Sequence, residues 1–271
     1  MSPQCAPAIR KSYDSDLSDA QWRLVRGLVP AVKSNRITGG RPAKYDRREL
    51  LNAMLYVART GCQWRLLPHD LPDWQAAYRY FISWHEAGVF EDINARLART
   101  IRISAHKHGE PSVGIIDSQS VKISANIGFS GFDGAKKVNG RKRHIVVDTL
   151  GFLLAVVVHE GSISDRDGAR LVLVKVRTFS RRIRTIFADQ GYTGKLIFQV
   201  KQTLGITLAI VKRIKVRVFH ILPKRWIVER TFAWFGFYRR LAKEYERYPC
   251  HSEAFVYLVM SNIMLHRLAA G

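Results

Sequence analysis

With 271 residues, 47% of them hydrophobic, the chain has material for one large domain or for a large and a small one, and wholesale disorder or a fibrous repeat is excluded. Charge is the unusual feature: 44 Lys plus Arg stand against 22 Asp plus Glu, a formal net charge of +22. Such a balance selects polyanionic partners, nucleic acid ahead of an anionic membrane surface. The three cysteines, Cys5, Cys62 and Cys250, are scattered and odd in number, which points to a reducing compartment rather than a disulfide framework. Residues 1–16 lack a signal-peptide pattern, and the longest apolar run, Phe152 to Val158, is far short of the ~20 residues of a membrane span. A soluble, cytoplasmic, nucleoid-associated protein is expected, with no membrane partner.

Helical spacing of Leu17, Ala20, Leu24 and Leu28 predicts a first helix over 17–29, capped by Ser15 or Asp16 and stopped by Pro30. A basic linker over 31–45 follows, with Lys33, Arg36, Arg41 and Lys44. A second helix runs from Arg47 to Thr60 and ends at Gly61. Asp73 caps a third that Gly88 terminates, and a fourth covers about 90–107. Residues 1–110 thus read as an all-helical unit of helix-turn-helix type, its third helix reading a DNA groove. A plain helical bundle with solvated basic loops is the competing reading.

Beyond Pro111 the pattern changes to strands. Val113–Ile116 is a short strand ending at Asp117; 118–142 is polar and Gly-rich; His144–Val147 and Phe152–Val158 form a hairpin around Asp148-Thr149-Leu150-Gly151. A helix over Arg166–Val176, a strand over Ile183–Phe187, a helix near 195–204 and a strand at 206–211 alternate, and 224–238 and 252–268 are helical. An α/β domain over 111–271 follows, a mixed five-stranded sheet flanked by helices.

Strand order discriminates among the acids. A strand over Ile183–Phe187, parallel to the first, carries Asp189 to the same sheet edge as Asp117, whereas Asp148 falls at the opposite edge as a turn residue. Glu229 lies in the apolar helix Trp226–Phe235, either as an ion-pair partner of Arg225 four residues earlier or as a third acid. Converging, these three carboxylates are hard oxygen donors suited to Mg²⁺ or Mn²⁺, with two ions serving the attacking and leaving oxygens of a phosphodiester. Glu160, Asp165 and Asp167 are auxiliary candidates. Cysteines and histidines form no zinc-type cluster.

Cations cluster around these acids in sequence: Lys136, Lys137, Arg141, Lys142 and Arg143; Arg181, Arg182 and Arg184; Lys212, Arg213, Lys215 and Arg217; Arg225, Arg239, Arg240 and Lys243. They are read as DNA phosphate contacts, the 136–143 run as a flexible Gly-rich clamp. Tyr192 either stacks on a splayed base or caps the core.

The same residues carry a resemblance. Arg59-Thr60-Gly61-Cys62-Gln63-Trp64-Arg65-Leu66-Leu67-Pro68, Ile116-Asp117-Ser118-Gln119-Ser120-Val121-Lys122, Gly140–His144 through Asp148–Gly151, Ala188-Asp189-Gln190-Gly191-Tyr192 and Trp226–Trp234 resemble the ordered motifs of the bacterial DDE transposases of the insertion-sequence five family. The resemblance implies a ribonuclease-H-like fold with Asp117, Asp189 and Glu229 as metal-binding triad. It also implies recognition of terminal inverted repeats in double-stranded DNA, cleavage at the element ends and joining to target DNA, by a homodimer on paired ends. One departure stands out: the basic residue commonly found eight positions after the glutamate is Phe237 here, although Arg239 and Arg240 match the pattern. A nuclease without strand transfer and an inactive DNA-binding protein are the alternatives.

Overall fold

The computed structural model describes residues 10–30, 44–124, 128–211 and 225–270. The cations at 33–41 and at 212–217, and Cys5, lie outside the described residues. Among the described residues no helix is long and apolar enough to cross a membrane.

The N-terminal part is helical. Helix α1 (Asp19–Val25) starts at a reciprocal cap in which Ser18 accepts from the Gln21 amide and Gln21 reaches back to Ser18. The cap is therefore Ser18, not Ser15 or Asp16. Helix α2 (Arg47–Thr60) begins at Asp46 and ends where Gly61 turns left-handed at φ 73°. The connection from Gly61 to Asp73 contains a 3-10 turn at Trp64–Leu66, far longer than the about 3–4 residues of a helix-turn-helix. Helix α3 (Trp74–Glu86) buries Ala77, Phe81 and Trp84, and its exposed row of Gln75, Arg79, Ser83 and Glu86 carries a single arginine. Helix α4 (Val89–Ser104) completes this part.

A mixed sheet follows: β1 (Val113–Lys122), β2 (Gly131–Asp133), β3 (Val138–Asp148), β4 (Leu153–Glu160), β5 (Thr185–Ala188) and β6 (Thr207–Ile210). Strand order is β4-β3-β1-β5-β6, antiparallel on the β1–β3–β4 side and parallel across β1–β5–β6. The three-residue β2 pairs with the start of β3, so the sheet is five strands wide with a sixth short strand beside β4. Helices α5 (Asp165–Phe179) and α6 (Lys195–Leu204) cover one face; α7 (Arg225–Phe235) and α8 (Pro249–Ala269) serve the other. This is the α/β, ribonuclease-H-like arrangement.

Side-chain parity assigns residues to the two faces. Ile116, Val146 and Ala155 join the α5–α6 core, while Ile115, Ile145, Val147 and Val156 join the larger one. That larger core runs continuously from Leu17 through α2 and α4 to Met264 and Leu265, so residue 110 separates element types rather than cores. Helix α8 is buried on nearly every side, as a helix hydrophobic all round must be. The free edge of β4 is blunted by side chains: Glu253 accepts from the Val158 amide at 2.9 Å, Lys175 donates to the Val156 carbonyl at 3.1 Å, and Asn94 donates to the Leu153 carbonyl at 2.8 Å.

Arg102 of α4 pairs with Asp148 at the end of β3, whose carboxylate is fully buried and also accepts from the Leu150 and Phe152 amides. This pair ties the helical part to the hairpin. Arg102→Ala should leave that carboxylate without its counter-ion and lower unfolding stability by roughly 3 kcal/mol, since breaking a buried pair commonly costs about 3–5. Urea denaturation of the full chain measures it; a decrease under about 1 kcal/mol would show the backbone donors alone sufficient.

Candidate active site

The sheet edge beyond the β1–β5 pairing gathers the acids. Ile115 lies opposite Phe187 in the parallel register. Two residues further along each strand stand Asp117 and Asp189. Contrary to expectation, β1 does not end at Asp117: antiparallel pairing with β3 carries it on to Lys122, with Asp117 opposite Ile145. Asp117 shares the parity of Ile115 and so belongs to the α7 side. Asp189 caps the 3-10 turn Gln190–Tyr192 by accepting from the Gly191 amide at 2.8 Å.

Helix α7 supplies the third acid. Its position is set by the β3–β4 turn, where Arg230 donates to the Leu150 carbonyl and Thr231 to the Gly151 carbonyl, both at 2.8 Å. The Arg230 guanidinium lies 4.7 Å from the ring centres of both Trp226 and Trp234, one turn to either side. Glu229 is thereby carried on the solvent-facing side of α7, its side chain 58% exposed. It is not the desolvated carboxylate that an apolar helix suggests, because the helix buries only Ile227, Val228, Thr231 and Phe235.

Arg225 joins the three. A single guanidinium nitrogen, Nη2, stands 3.8 Å from Asp117 Oδ2, 3.7 Å from Asp189 Oδ2 and 3.5 Å from Glu229 Oε1. Burial pushes the Asp117 carboxyl up to about 6, against the lowering effect of the Ser118 amide and of Arg225, with Asp189 adding to the rise. Three carboxylates converging on one cationic group are a hard-donor set that fits a divalent cation in chemistry. Among the described residues no three His, Cys, Asp or Glu groups are closed to coordinating distance, since the guanidinium stands between them.

A second layer lies on the α5 face, and the sequence pattern largely conceals it. Ser118 donates to Asp165 at the start of α5, and Lys136 donates to the Ser118 carbonyl at 2.8 Å. Beside them runs a buried chain. The Glu160 carbonyl can only accept, so His159 Nδ1 carries the proton at 2.8 Å. His159 Nε2 then accepts from His144 Nδ1 at 2.7 Å, and His144 Nε2 accepts from the Tyr192 hydroxyl at 3.1 Å. Burial, then the neighbouring His159, pushes His144 down to about 3, and burial also lowers His159, consistent with two neutral rings. A Cβ at Gly168 would fall 2.3 Å from His159 Nε2, so only glycine admits this stacking. Spacing could have revealed the layer: His144 and Ser118 are cross-strand partners.

Several residues expected to touch DNA are instead committed to the protein. Arg141, 0% exposed, donates to the carbonyls of Phe129, Glu246 and Arg247 and lies 3.6 Å from Glu244. Arg143 donates to Glu244 at 2.8 Å and to the Leu241 carbonyl at 2.6 Å. Lys142 pairs with Asp165 at 3.2 Å and Asp133 at 3.5 Å. These three are strand residues inside the fold rather than a flexible clamp, and their charges are matched by protein partners. Arg240 is likewise buried against Glu246 at 2.6 Å. Tyr192, 1% exposed, is a core residue and cannot stack on a base. Lys136, Lys137 and Arg239 are exposed, the first two on the β2–β3 turn. Phe237 is exposed too, and its carbonyl accepts from Arg59 of α2 at 2.7 Å.

Residues 17–94 match a sequence-family model described as "Putative transposase of IS4/5 family", and residues 108–264 match one described as "Transposase DDE domain". The chain is 40% identical over 83 residues to the uncharacterized protein y4sN of Sinorhizobium fredii, covering 31% of this chain and 63% of that protein. It is 30% identical over 115 residues to the "Putative transposase for insertion sequence element IS402" of Burkholderia cepacia, covering 40% of this chain and 54% of the relative. The chain thus spans less than two thirds of the length of these two relatives. The Mos1 strand transfer complex aligns over 88% of this chain and 81% of that chain at 12% identity, with a TM-score of 0.26.

The raised Asp117 value has a stability consequence. An acid whose folded value lies above its ordinary 3.8 takes up a proton on folding between about pH 4 and 6, so its ionised form destabilises the fold above that window and not below it. Asp117→Asn should therefore stabilise the protein at pH 7 by about 1–3 kcal/mol and by little below pH 4. Melting curves at the two pH values test this; a lower Tm at pH 7 would contradict it.

Proposed function

Because the chain belongs to the DDE-domain transposases of the IS4/5 type, we propose that it binds the terminal inverted repeats of its own element, cuts the element ends and joins them to target DNA. The observation that supports this reading most is the convergence of Asp117, Asp189 and Glu229 on one point at the sheet edge. The three would hold Mg²⁺ or Mn²⁺, as two ions when fully loaded. Bound there, such ions offset the charge that develops on the attacking and leaving oxygens of a phosphodiester.

The chain's own residues position the reaction. Parallel β1 and β5 hold the two aspartates, and α7, docked on the hairpin turn, holds the glutamate. A water oxygen bonds to phosphorus as the P–O3′ bond breaks, leaving a 3′-hydroxyl. That hydroxyl then attacks a phosphodiester of the target and displaces its 3′ oxygen, so no protein–DNA bond is formed. Lys136 and Lys137, exposed on the turn next to Ser118, and Arg239 would bind phosphates of the incoming duplex. Residues 1–110 are proposed to distinguish element ends from other DNA, and two copies to bring two ends together.

Asp117→Asn, Asp189→Asn and Glu229→Gln should each lower end cleavage and joining at least about a hundredfold while leaving end binding nearly unchanged. Cleavage within about tenfold of wild type for Glu229→Gln would remove that residue from the reaction. Supplying pre-cut 3′-hydroxyl ends with a target plasmid separates the reactions, since a nuclease lacking strand transfer yields no joined product. Replacing Lys136 and Lys137 with Gln should weaken binding to element ends and random duplex alike. The slope of log affinity against log salt should fall by up to about 0.9 for each phosphate no longer neutralised. A collapse of end discrimination with unchanged random binding would instead make these lysines base readers.

A further inference from the structure

We infer that Arg225 is an internal counter-cation of the acid site, holding the three carboxylates together before DNA arrives and competing with a divalent cation for them. This rests on the reading of the triad as a cation site. Four observations carry it. One nitrogen of Arg225 serves all three acids, at 3.5–3.8 Å. Those separations are ion pairs rather than close hydrogen bonds, so charge and not directional bonding holds the guanidinium there. Its side chain is only 15% exposed, which weakens solvent screening. Among the described residues no other cation is ion-paired with any of the three, Lys142 being committed to Asp133 and Asp165.

The consequence follows from charge. Three carboxylates and one guanidinium leave a formal net charge of −2, attractive to a divalent cation, yet the position equidistant from the acids is already taken. A guanidinium and a divalent cation repel each other and cannot share it, so cation entry expels Arg225. The helix spacing of four residues keeps the released side chain on the face of Glu229, where a planar fork suits a DNA phosphate. Phosphate binding and cation binding are therefore coupled through one side chain. DNA draws Arg225 off the acids and raises cation affinity, and by reciprocity the cation raises affinity for the phosphate. An element end in place becomes the condition for tight loading.

The test uses the full chain, first without DNA and then with a short duplex. Free Mn²⁺ is followed by electron paramagnetic resonance during titration of the wild type, Arg225→Gln and Arg225→Lys, with Asp117→Asn marking binding that depends on the triad. Arg225→Gln should bind Mn²⁺ about tenfold more tightly than wild type, within the 5–150-fold range of common couplings, while Arg225→Lys stays near wild type. A short phosphodiester duplex should tighten Mn²⁺ binding to the wild type and leave Arg225→Gln unchanged. Equal or weaker Mn²⁺ binding by Arg225→Gln overturns the inference.

Melting in EDTA is independent of any metal. Arg225→Gln should lower Tm, and adding Glu229→Gln should restore part of the decrease. A Tm equal to wild type, or a decrease that Glu229→Gln leaves untouched, also overturns it. If no protein binds Mn²⁺ in an Asp117-dependent way, the reading of the triad as a cation site fails. The melting cycle still decides whether Arg225 balances the acids.

Discussion

The parallel pairing of β1 with β5 is the contact on which the acid site depends. Only three residue pairs make it, Val113 to Thr185 through Ile115 to Phe187, and both strands then run on to an aspartate at the same edge. Antiparallel pairing with β3 extends β1 past that point and sets which side each neighbour takes. Asp117 faces α7, while Ser118 turns to Asp165 and the histidine pair under α5. The acid layer and its polar support thus occupy opposite faces of one strand. Glu229 comes from a remote helix, and its placement rests on Arg230 and Thr231 gripping the hairpin turn.

A second constraint is the use of cations inside the fold. Strand β3 is covered on both faces, so its alternating Arg141, Lys142, Arg143 and His144 must all be buried. Arg141 and Arg143 point to one side, where Glu244 receives both; Lys142 and His144 point to the other, where Asp165 and His159 receive them. Buried charges survive only with such partners. Among the described residues, Arg141, Lys142, Arg143 and Arg240 are thereby withdrawn from an outside partner, while Lys136, Lys137, Arg239 and Lys243 stay exposed.

Much of the framework is legible in the sequence where local signals are strong. Helix α2 runs from Arg47 to the Gly61 stop as expected, helix α6 falls at the expected 195–204, and strand order alone sets Asp117 and Asp189 at one edge with Asp148 at the other. The region 118–142 is illegible because its strands carry polar side chains and glycines. Gly140 is there to admit the Val121 carbonyl, which a Cβ would meet at 1.9 Å, and not to loosen a loop. The run 141–143 reads as a flexible clamp because the counter-ion of its two arginines, Glu244, lies about a hundred residues away, beyond any local pattern. Of the two readings of Tyr192 the core one holds, its hydroxyl donating to His144, while Arg240 escapes the reading because its fit inside the fold rests on the Cys62 carbonyl, 178 residues away, as well as on the nearby Glu246.

If Asp117, Asp189 and Glu229 form one cation-binding centre that acts on DNA, anomalous diffraction from Mn²⁺ in a complex with an element-end duplex tests it most directly. The expected result is anomalous density bounded by these three carboxylates, with the scissile phosphate beside it. Density held instead by Glu160, Asp165 or Asp167, or no density near the three acids, would contradict a shared centre.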